Sequence, residues 1–185
     1  FLLVDSGGHY LEGTTDITRT FALGEVTDEM RDMFTRVLRS NVSLASARFR
    51  QGCCGLNFDI LARAPFWDID MDYNHGTGHG VGYVLNVHEG PNSFHWKAYP
   101  GRSADSEILP GMITTDEPGV YLEGKFGIRT ENELVARLGN KNEYGQFMYF
   151  ENLTYVPVDL DSVDPAMMTE AEKKYLNNYH TEVYK

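Results

Sequence analysis

The sequence has few cysteines, few basic residues and no long apolar run, and each shortage narrows the class of protein. Its only cysteines, Cys53 and Cys54, are adjacent, so they offer no disulfide framework and indicate a reducing, cytoplasmic compartment. Sixteen Lys and Arg stand against 27 Asp and Glu, a formal net charge of −11. That balance argues against binding to nucleic acid or anionic membrane, because phosphate contacts need clustered cations. No stretch approaches the roughly 20 apolar residues of a membrane span.

The chain does contain enough apolar residues, 42% of 185, for one globular domain with a core. It opens on "FLLVDSGG", an apolar strand pattern with no methionine and no polar lead-in. Because domains seldom begin inside a core strand, we expect the chain to be a fragment whose upstream part is missing.

Periodicity predicts an α+β fold, a curved antiparallel sheet with helices on one face. Strands are predicted at residues 1–8, 14–23, 82–91, 111–124, 126–138 and 149–159. Helices are predicted from the N-cap Thr27 to about Phe49, from about Gly55 to Phe66 with Ile60 and Leu61 on the apolar side, and from Glu170 to about Tyr184 after a capping box of Thr169 and Glu172.

Four carboxylates, those of Asp5, Asp16, Glu117 and Glu131, fall inside or at the ends of apolar strand patterns. A buried, unpaired carboxylate is costly, and a hairpin would bring Asp5 and Asp16 side by side, where they repel unless a cation lies between them. With one histidine, this donor set suits Mn²⁺, Co²⁺ or Zn²⁺. Four negative charges balance two divalent ions, and a water between ions about 3.5–4 Å apart would deprotonate near neutral pH and attack a carbonyl.

The stretch "HGTGHGVGYVLNVHEGP", residues 75–91, places His75, His79 and His88 among glycines. The first two histidines have the spacing of a zinc-binding HExxH helix, but each glycine would cost roughly 1 kcal/mol in a helix interior. Gly76 also stands where that motif needs glutamate. We therefore expect these histidines to act from a loop or strand. The other three histidines, His9, His95 and His180, are expected to be structural.

Five motifs in order resemble those of the pita-bread metallopeptidases, and within them the eukaryotic-type, multidomain Xaa-Pro aminopeptidases. They are "DSGG" with Asp5, "GTTDITRT" with Asp16, "HGTGHGVG" with His79, "TDEPG" with Glu117 and "GIRTEN" with Glu131. The resemblance covers the whole chain and implies that these five residues bind two metal ions, commonly manganese, with Glu131 bridging them. It also implies that residues 1–185 are the C-terminal part of the catalytic domain, without its start and without the amino-terminal domains.

The resemblance implies further roles around the metals. His75 would lie at the rim of the substrate pocket, and His88 would hydrogen-bond the scissile carbonyl or stabilise the tetrahedral intermediate. Glu117 would also be the general acid/base that carries a proton to the departing amine. Tyr121 matches a pocket tyrosine. Arg129 lies two residues before a metal ligand on one strand face, from which it can orient an aspartate ligand.

The function that this resemblance implies is metal-dependent removal of the first residue from peptides with proline at position 2, by a cytoplasmic enzyme expected to be a homodimer. The first alternative is a prolidase, which cuts only Xaa-Pro dipeptides with the same ligands. A methionine aminopeptidase fits "LNVHEGP" and the long C-terminal tail poorly. The remaining alternative is a non-catalytic pita-bread module that binds peptide or protein. The fragment alone is expected to be inactive, since a substrate-contacting histidine of the family lies upstream of Asp5.

Overall fold

The structure is a computed structural model that describes residues 1–84, 86–98 and 106–185. The strands are β1 Leu2–Tyr10, β2 Gly13–Phe21, β3 Arg48–Arg50, β4 Gly78–His79, β5 Ser93–Phe94, β6 Ile113–Asp116, β7 Gly119–Leu122, β8 Phe126–Arg129, β9 Asn132–Asn142 and β10 Gly145–Asn152. The helices are α1 Asp28–Ala45, α2 Asp59–Trp67 and α3 Glu170–Val183.

The strand pairings confirm the predicted antiparallel α+β architecture. A four-stranded sheet has the order β3-β10-β9-β6, and three two-stranded sheets pair β1 with β2, β4 with β5, and β7 with β8. Each of these pairings is antiparallel. The β1–β2 hairpin is bonded to the link between β8 and β9, where the amide of Glu131 donates to the carbonyl of Thr18 at 3.0 Å.

Helix α1 begins at the predicted cap, where the Thr27 hydroxyl accepts from the amide of Met30 at 3.3 Å. The helix ends at Ala45, however, so the prediction that it runs to about Phe49 is wrong. Residues 48–50 leave the helix because they pair with β10 as the edge strand β3. Helix α3 follows the predicted capping box, in which Thr169 and Glu172 each accept the other's amide.

Helix α2 begins at Asp59, after a 3-10 turn at Gly55–Asn57, and not at Gly55 as predicted. Its orientation was also predicted wrongly. Ile60 and Leu61 are 44% and 38% exposed, whereas Asp59 and Arg63 are buried. The helix turns a charged pair inward because that pair bonds to the loop that follows it.

The strand predicted at residues 82–91 is wrong for the described part of that segment, which forms bends between β4 and β5. Leu85 lies outside the described residues. The predicted strand at 111–124 is two strands, β6 and β7, separated by Glu117 and Pro118. The predicted strand at 126–138 is β8 and β9, with Glu131 in the link between them. The strand predicted at 149–159 is wrong for 153–159, because β10 runs from Gly145 to Asn152 and overlaps the prediction only at 149–152.

Two hydrophobic clusters hold these elements in place. One surrounds α1 and includes Phe34, Leu38 and Phe66, and the other centres on Phe58 and Phe150. None of the helices in the described ranges is long and apolar enough to cross a membrane. Cys53 and Cys54 carry free thiols, as predicted.

Candidate metal centre

The β1–β2 hairpin brings two aspartates to one side of the site. Asp5 faces Thr18 and Asp16 faces Gly7 across the hairpin, so the two aspartates are diagonal neighbours on one face. Carboxylate oxygens of Asp5, Asp16 and Glu131 all lie within 4.8 Å of one another. Asp16 is buried, as expected, but the Asp5 side chain is 52% exposed, so the expectation that Asp5 is buried is wrong.

The short strand β4 supplies His79. Its Nδ1 lies 2.9 Å from the carbonyl oxygen of Gly80, and because a carbonyl only accepts, Nδ1 carries the proton. The lone pair is therefore on Nε2, which lies 3.3 Å from Glu117 Oε1 and 3.6 Å from Asp16 Oδ2. Nε2 is buried without a hydrogen-bond partner among the described residues. A histidine that donates one ring N–H to a carbonyl and turns the other nitrogen into a carboxylate cluster has the orientation of a metal ligand.

Two links from strand ends supply the glutamates. The Glu117 amide donates to Thr77 O at 2.8 Å, and its Oε1 accepts from the Thr115 hydroxyl at 3.2 Å. Glu131 Oε2 accepts from the Thr18 hydroxyl at 2.6 Å, whereas Oε1 is buried without a described partner. One ligand atom each from His79, Glu117 and Glu131 fits within a 4.8 Å group.

The clustered carboxylates raise one another's pKa values. Burial raises the pKa of Glu117 to about 7 and that of Glu131 to about 9, and neighbouring carboxylates add to both rises. The pKa of Asp16 is raised for the same reasons. Burial lowers the pKa of His79 to about 4, which keeps its imidazole neutral. The neutral imidazole has a lone pair that can bind a metal. The carboxylates are costly to ionise unless a cation neutralises them, so the site suits a divalent cation that prefers oxygen ligands.

Arg129, the last residue of β8, contacts two of the predicted site residues and Thr18. Its guanidinium donates to Asp5 Oδ2 at 2.5 Å, to the Tyr121 hydroxyl at 2.9 Å and to the Thr18 hydroxyl at 3.2 Å. It therefore fixes the exposed aspartate and connects it to the tyrosine.

Asp5, His79 and Glu117 open into a cavity of about 670 Å³. The predicted pocket residues His75, His88, Tyr121 and Arg129 also line it. The His88 ring lies 4.1 Å from the His79 ring, and the His75 ring lies 5.4 Å from the Tyr121 ring.

Among the pocket residues that were not predicted, one is a histidine. His95, which the sequence analysis treated as structural, lines the same cavity, and a Cβ on Gly76 would lie 2.3 Å from its Cε1. The signal for this contact was weak, because His95 stands outside the glycine-rich segment and reaches it only through the β4–β5 pairing. His9 and His180 bond to the Thr14 hydroxyl and the Val158 amide, respectively, which fits structural roles.

Glycine explains why the histidine segment packs so closely. A Cβ on Gly78 would lie 2.0 Å from Thr115 O, and one on Gly80 would lie 2.2 Å from Glu89 O. Because real side chains do not tolerate such distances, glycine lets β4 lie directly against β6, which brings His79 to Glu117.

A mixed fold of antiparallel sheets and helices, in which two aspartates, a histidine and two glutamates cluster beside one cavity and three of them open into it, defines a metallopeptidase of the pita-bread class. The model of metallopeptidase family M24 matches residues 1–137, and that of the C-terminal region of peptidase M24 matches residues 146–185. The chain belongs to metallopeptidase family M24.

Similar proteins agree with this assignment. Probable Xaa-Pro aminopeptidase P of Laccaria bicolor is 43% identical over 98% of this chain, and that of Aspergillus oryzae is 42% identical over the same share. The chain spans 28% of the length of each.

Solved structures give the same result. The X-prolyl aminopeptidase of Caenorhabditis elegans, described as a cytosolic enzyme with a di-nuclear active site, matches with a TM-score of 0.89 and 39% identity, over 98% of this chain and 29% of that one. The prolidase of Pyrococcus furiosus matches with a TM-score of 0.67 and 27% identity, over 83% of this chain and 41% of that one.

Proposed function

We propose that this chain is the metal-binding part of the catalytic domain of an Xaa-Pro aminopeptidase, which removes the first residue from peptides with proline at position 2. The observation that carries the proposal is the clustering of five side chains, Asp5, Asp16, His79, Glu117 and Glu131, in overlapping groups whose ligand atoms lie within 4.8 Å of one another. Three of them open into the cavity, and the buried Nε2 of His79 and Oε1 of Glu131 lack a partner among the described residues. The greater similarity to the nematode aminopeptidase than to the archaeal prolidase favours this function over dipeptide cleavage.

Asp5, Asp16, His79, Glu117 and Glu131 would hold two divalent ions. Mn²⁺, the metal that the family resemblance implies, is the one that we propose, with Zn²⁺ or Co²⁺ as substitutes; the mainly oxygen donors suit all three. When bound, two such ions polarise a peptide carbonyl and lower the pKa of water.

The chain's own side chains would do the remaining work. Glu117 would carry a proton to the nitrogen of the departing proline, a secondary amine that must be protonated to leave. His88 would donate to the scissile carbonyl oxygen as negative charge develops there. His75 and Tyr121 would contact the substrate from the rim, and Arg129 would hold Asp5 in its ligand orientation.

We further propose a cytoplasmic homodimer. The location rests on the nematode relative, described as cytosolic, and on the free thiols of Cys53 and Cys54, which suit a reducing compartment. Sedimentation of the purified protein tests the dimer, and a monomer at micromolar concentration would contradict it.

A peptide panel tests the function. Because residues 1–185 alone are expected to be inactive, the intact protein is loaded with Mn²⁺ and incubated with matched Xaa-Pro-Yaa tripeptides, Xaa-Pro dipeptides and Xaa-Ala-Yaa controls, and release of the first residue is followed. An aminopeptidase cleaves the tripeptides and spares the alanine series. Cleavage of dipeptides alone would identify a prolidase. Peptide binding without cleavage would identify a non-catalytic module.

A further inference from the structure

Helix α2 buries the ion pair of Asp59 and Arg63, although its apolar residues Ile60 and Leu61 are exposed. The Arg63 and Asp59 side chains are 1% and 0% exposed, and their Nε and Oδ2 atoms lie 2.5 Å apart. Burying such a pair usually gains little or no stability, because desolvation of both charges offsets their attraction. The pair therefore calls for an explanation other than stability, and its contacts supply one.

Arg63 holds the backbone of the loop that carries His75. Its guanidinium donates to the carbonyl oxygen of Tyr73 at 2.8 Å and to that of His75 at 2.7 Å. It also donates to Asp72 Oδ1 at 2.5 Å and lies 4.0 Å from the centre of the Tyr73 ring. One planar group thus fixes residues 72–75 from several directions, which the point charge of lysine cannot reproduce.

Asp59 extends the same contacts to Glu117. Its Oδ1 accepts from the Thr77 hydroxyl at 2.6 Å, and the Tyr73 hydroxyl lies 2.6 Å from that Thr77 oxygen. Because the single Thr77 proton goes to Asp59, the Tyr73 hydroxyl is the donor in the second bond. The carbonyl of Thr77 in turn accepts the amide of Glu117 at 2.8 Å.

His79 is held by a different set of bonds. Its amide donates to the Thr115 hydroxyl at 3.0 Å, its carbonyl accepts from the Thr114 hydroxyl at 3.1 Å, and β4 pairs with β5. The contacts from α2 therefore act on His75 and on the Glu117 backbone and leave the His79 imidazole in place.

We propose that four buried residues form a positioning network for the proposed active site. They are Asp59, Arg63, Tyr73 and Thr77, called here the α2 network. It keeps His75 at the rim of the cavity and fixes the backbone from which Glu117 reaches the substrate. The inference rests on the proposed function, to which it adds residues that themselves touch neither metal nor substrate.

The test, made in the intact protein, is the isosteric variant Thr77→Val, which removes one hydroxyl, with Thr77→Ser as the conservative rescue. We expect Thr77→Val to lower kcat/KM for an Xaa-Pro-Yaa peptide by tenfold or more while the number of bound Mn²⁺ ions is unchanged, and Thr77→Ser to stay within threefold of the parent. Tyr73→Phe, which removes only the donor to Thr77, is expected to have a smaller effect in the same direction and keeps the test available if Thr77→Val does not fold.

The matched control is Thr35→Val, a buried threonine on α1 whose hydroxyl accepts from the Asp164 amide at 2.8 Å, away from the cavity. It is expected to lower the unfolding temperature without changing kcat/KM. If Thr77→Val loses stability as the control does and keeps its kcat/KM, the network is structural only and the proposal is overturned.

A second measurement separates this proposal from the proposed function. Ring ¹H–¹⁵N spectra of the metal-free protein report the His75 tautomer, whose Nδ1 proton is donated to Gly76 O at 2.8 Å. If the parent cleaves no peptide, the proposed function fails, but a sharp His75 signal that broadens or shifts in Thr77→Val still supports the positioning role. An unchanged His75 signal in Thr77→Val would overturn it, whatever the activity.

Discussion

The close approach of β4 to β6 gives a prediction that can be worked out from distances. In Gly78→Ala, the new Cβ would lie 2.0 Å from Thr115 O and 2.9 Å from Phe94 Cδ2. Ordinary contact begins at about 3.4 Å, so β4 must move by roughly 1.4 Å, the difference from 2.0 Å. Overpacking of this kind costs about 1–3 kcal/mol. For a chain of this size, that cost corresponds to a fall of about 2–12 °C in the unfolding temperature.

The same shift displaces the adjacent residue, His79. Metal–ligand distances tolerate only about 0.2 Å, and a misplacement of about 1 Å in an active site costs on the order of 100-fold in rate. We therefore expect Gly78→Ala to weaken Mn²⁺ binding at least tenfold and to lower kcat/KM by about 100-fold.

Calorimetric Mn²⁺ titration and thermal unfolding followed by circular dichroism measure both effects. The matched control is Gly24→Ala, where a Cβ would meet nothing within 4 Å. It is expected to bind metal like the parent. A Gly78→Ala protein with parental metal affinity and unfolding temperature would refute the packing argument.

Three further predictions concern buried polar groups. Because burial raises the pKa of Glu117 to about 7 and of Glu131 to about 9, from an ordinary 4.5, the folded metal-free protein binds more protons than the unfolded chain in that range. Its unfolding temperature should therefore fall as pH rises from about 4.5 to about 9. The fall should be less steep in Glu131→Gln and in the parent with added Mn²⁺, and equal slopes in these two samples and the metal-free parent would contradict this. Both Asp116 carboxylate oxygens are buried without a described partner, so Asp116→Leu should raise the unfolding temperature of the metal-free protein, and a fall would be contrary evidence. The Tyr179 hydroxyl docks α3 by accepting from Arg19 at 2.6 Å, so Tyr179→Phe should cost about 1–3 kcal/mol in urea unfolding, and no loss would mean that the bond is redundant.

Local chemistry made much of the fold predictable. The caps at Thr27 and Thr169 lie where the sequence indicated, since each is set by residues three apart in the chain. The hairpin of β1 and β2 was predictable from alternation around one turn. The end of α1 was not, because the strand that replaces its last turn pairs with β10, about a hundred residues later.

Two further errors lie beside the candidate site. A hydrophobic pattern predicted that Ile60 and Leu61 face the core, but α2 turns Asp59 and Arg63 inward to bond with the histidine loop. The segment 82–91 has the apolar composition of a strand, yet its described residues form bends, and His88, Glu89 and Gly90 line the cavity. For α2, hydrogen bonds to the histidine loop outweigh the local hydrophobic pattern.

The candidate site was predictable as a set of residues but not as a geometry. The five motifs named the proposed donors, yet only the structure places Arg129 on both Asp5 and Tyr121 and His95 in the cavity. These contacts join residues from separate strands, and the spacing of a motif carries no information about them.

The central claim is that five side chains of this chain hold two divalent ions. Calorimetric titration of the metal-free protein with Mn²⁺, beside Asp16→Asn, tests it most directly, with circular dichroism to establish that both are folded. The account predicts two ions per chain in the parent and the loss of both sites, or a large drop in their affinity, in the variant. A folded parent that binds no Mn²⁺, Zn²⁺ or Co²⁺ would contradict it.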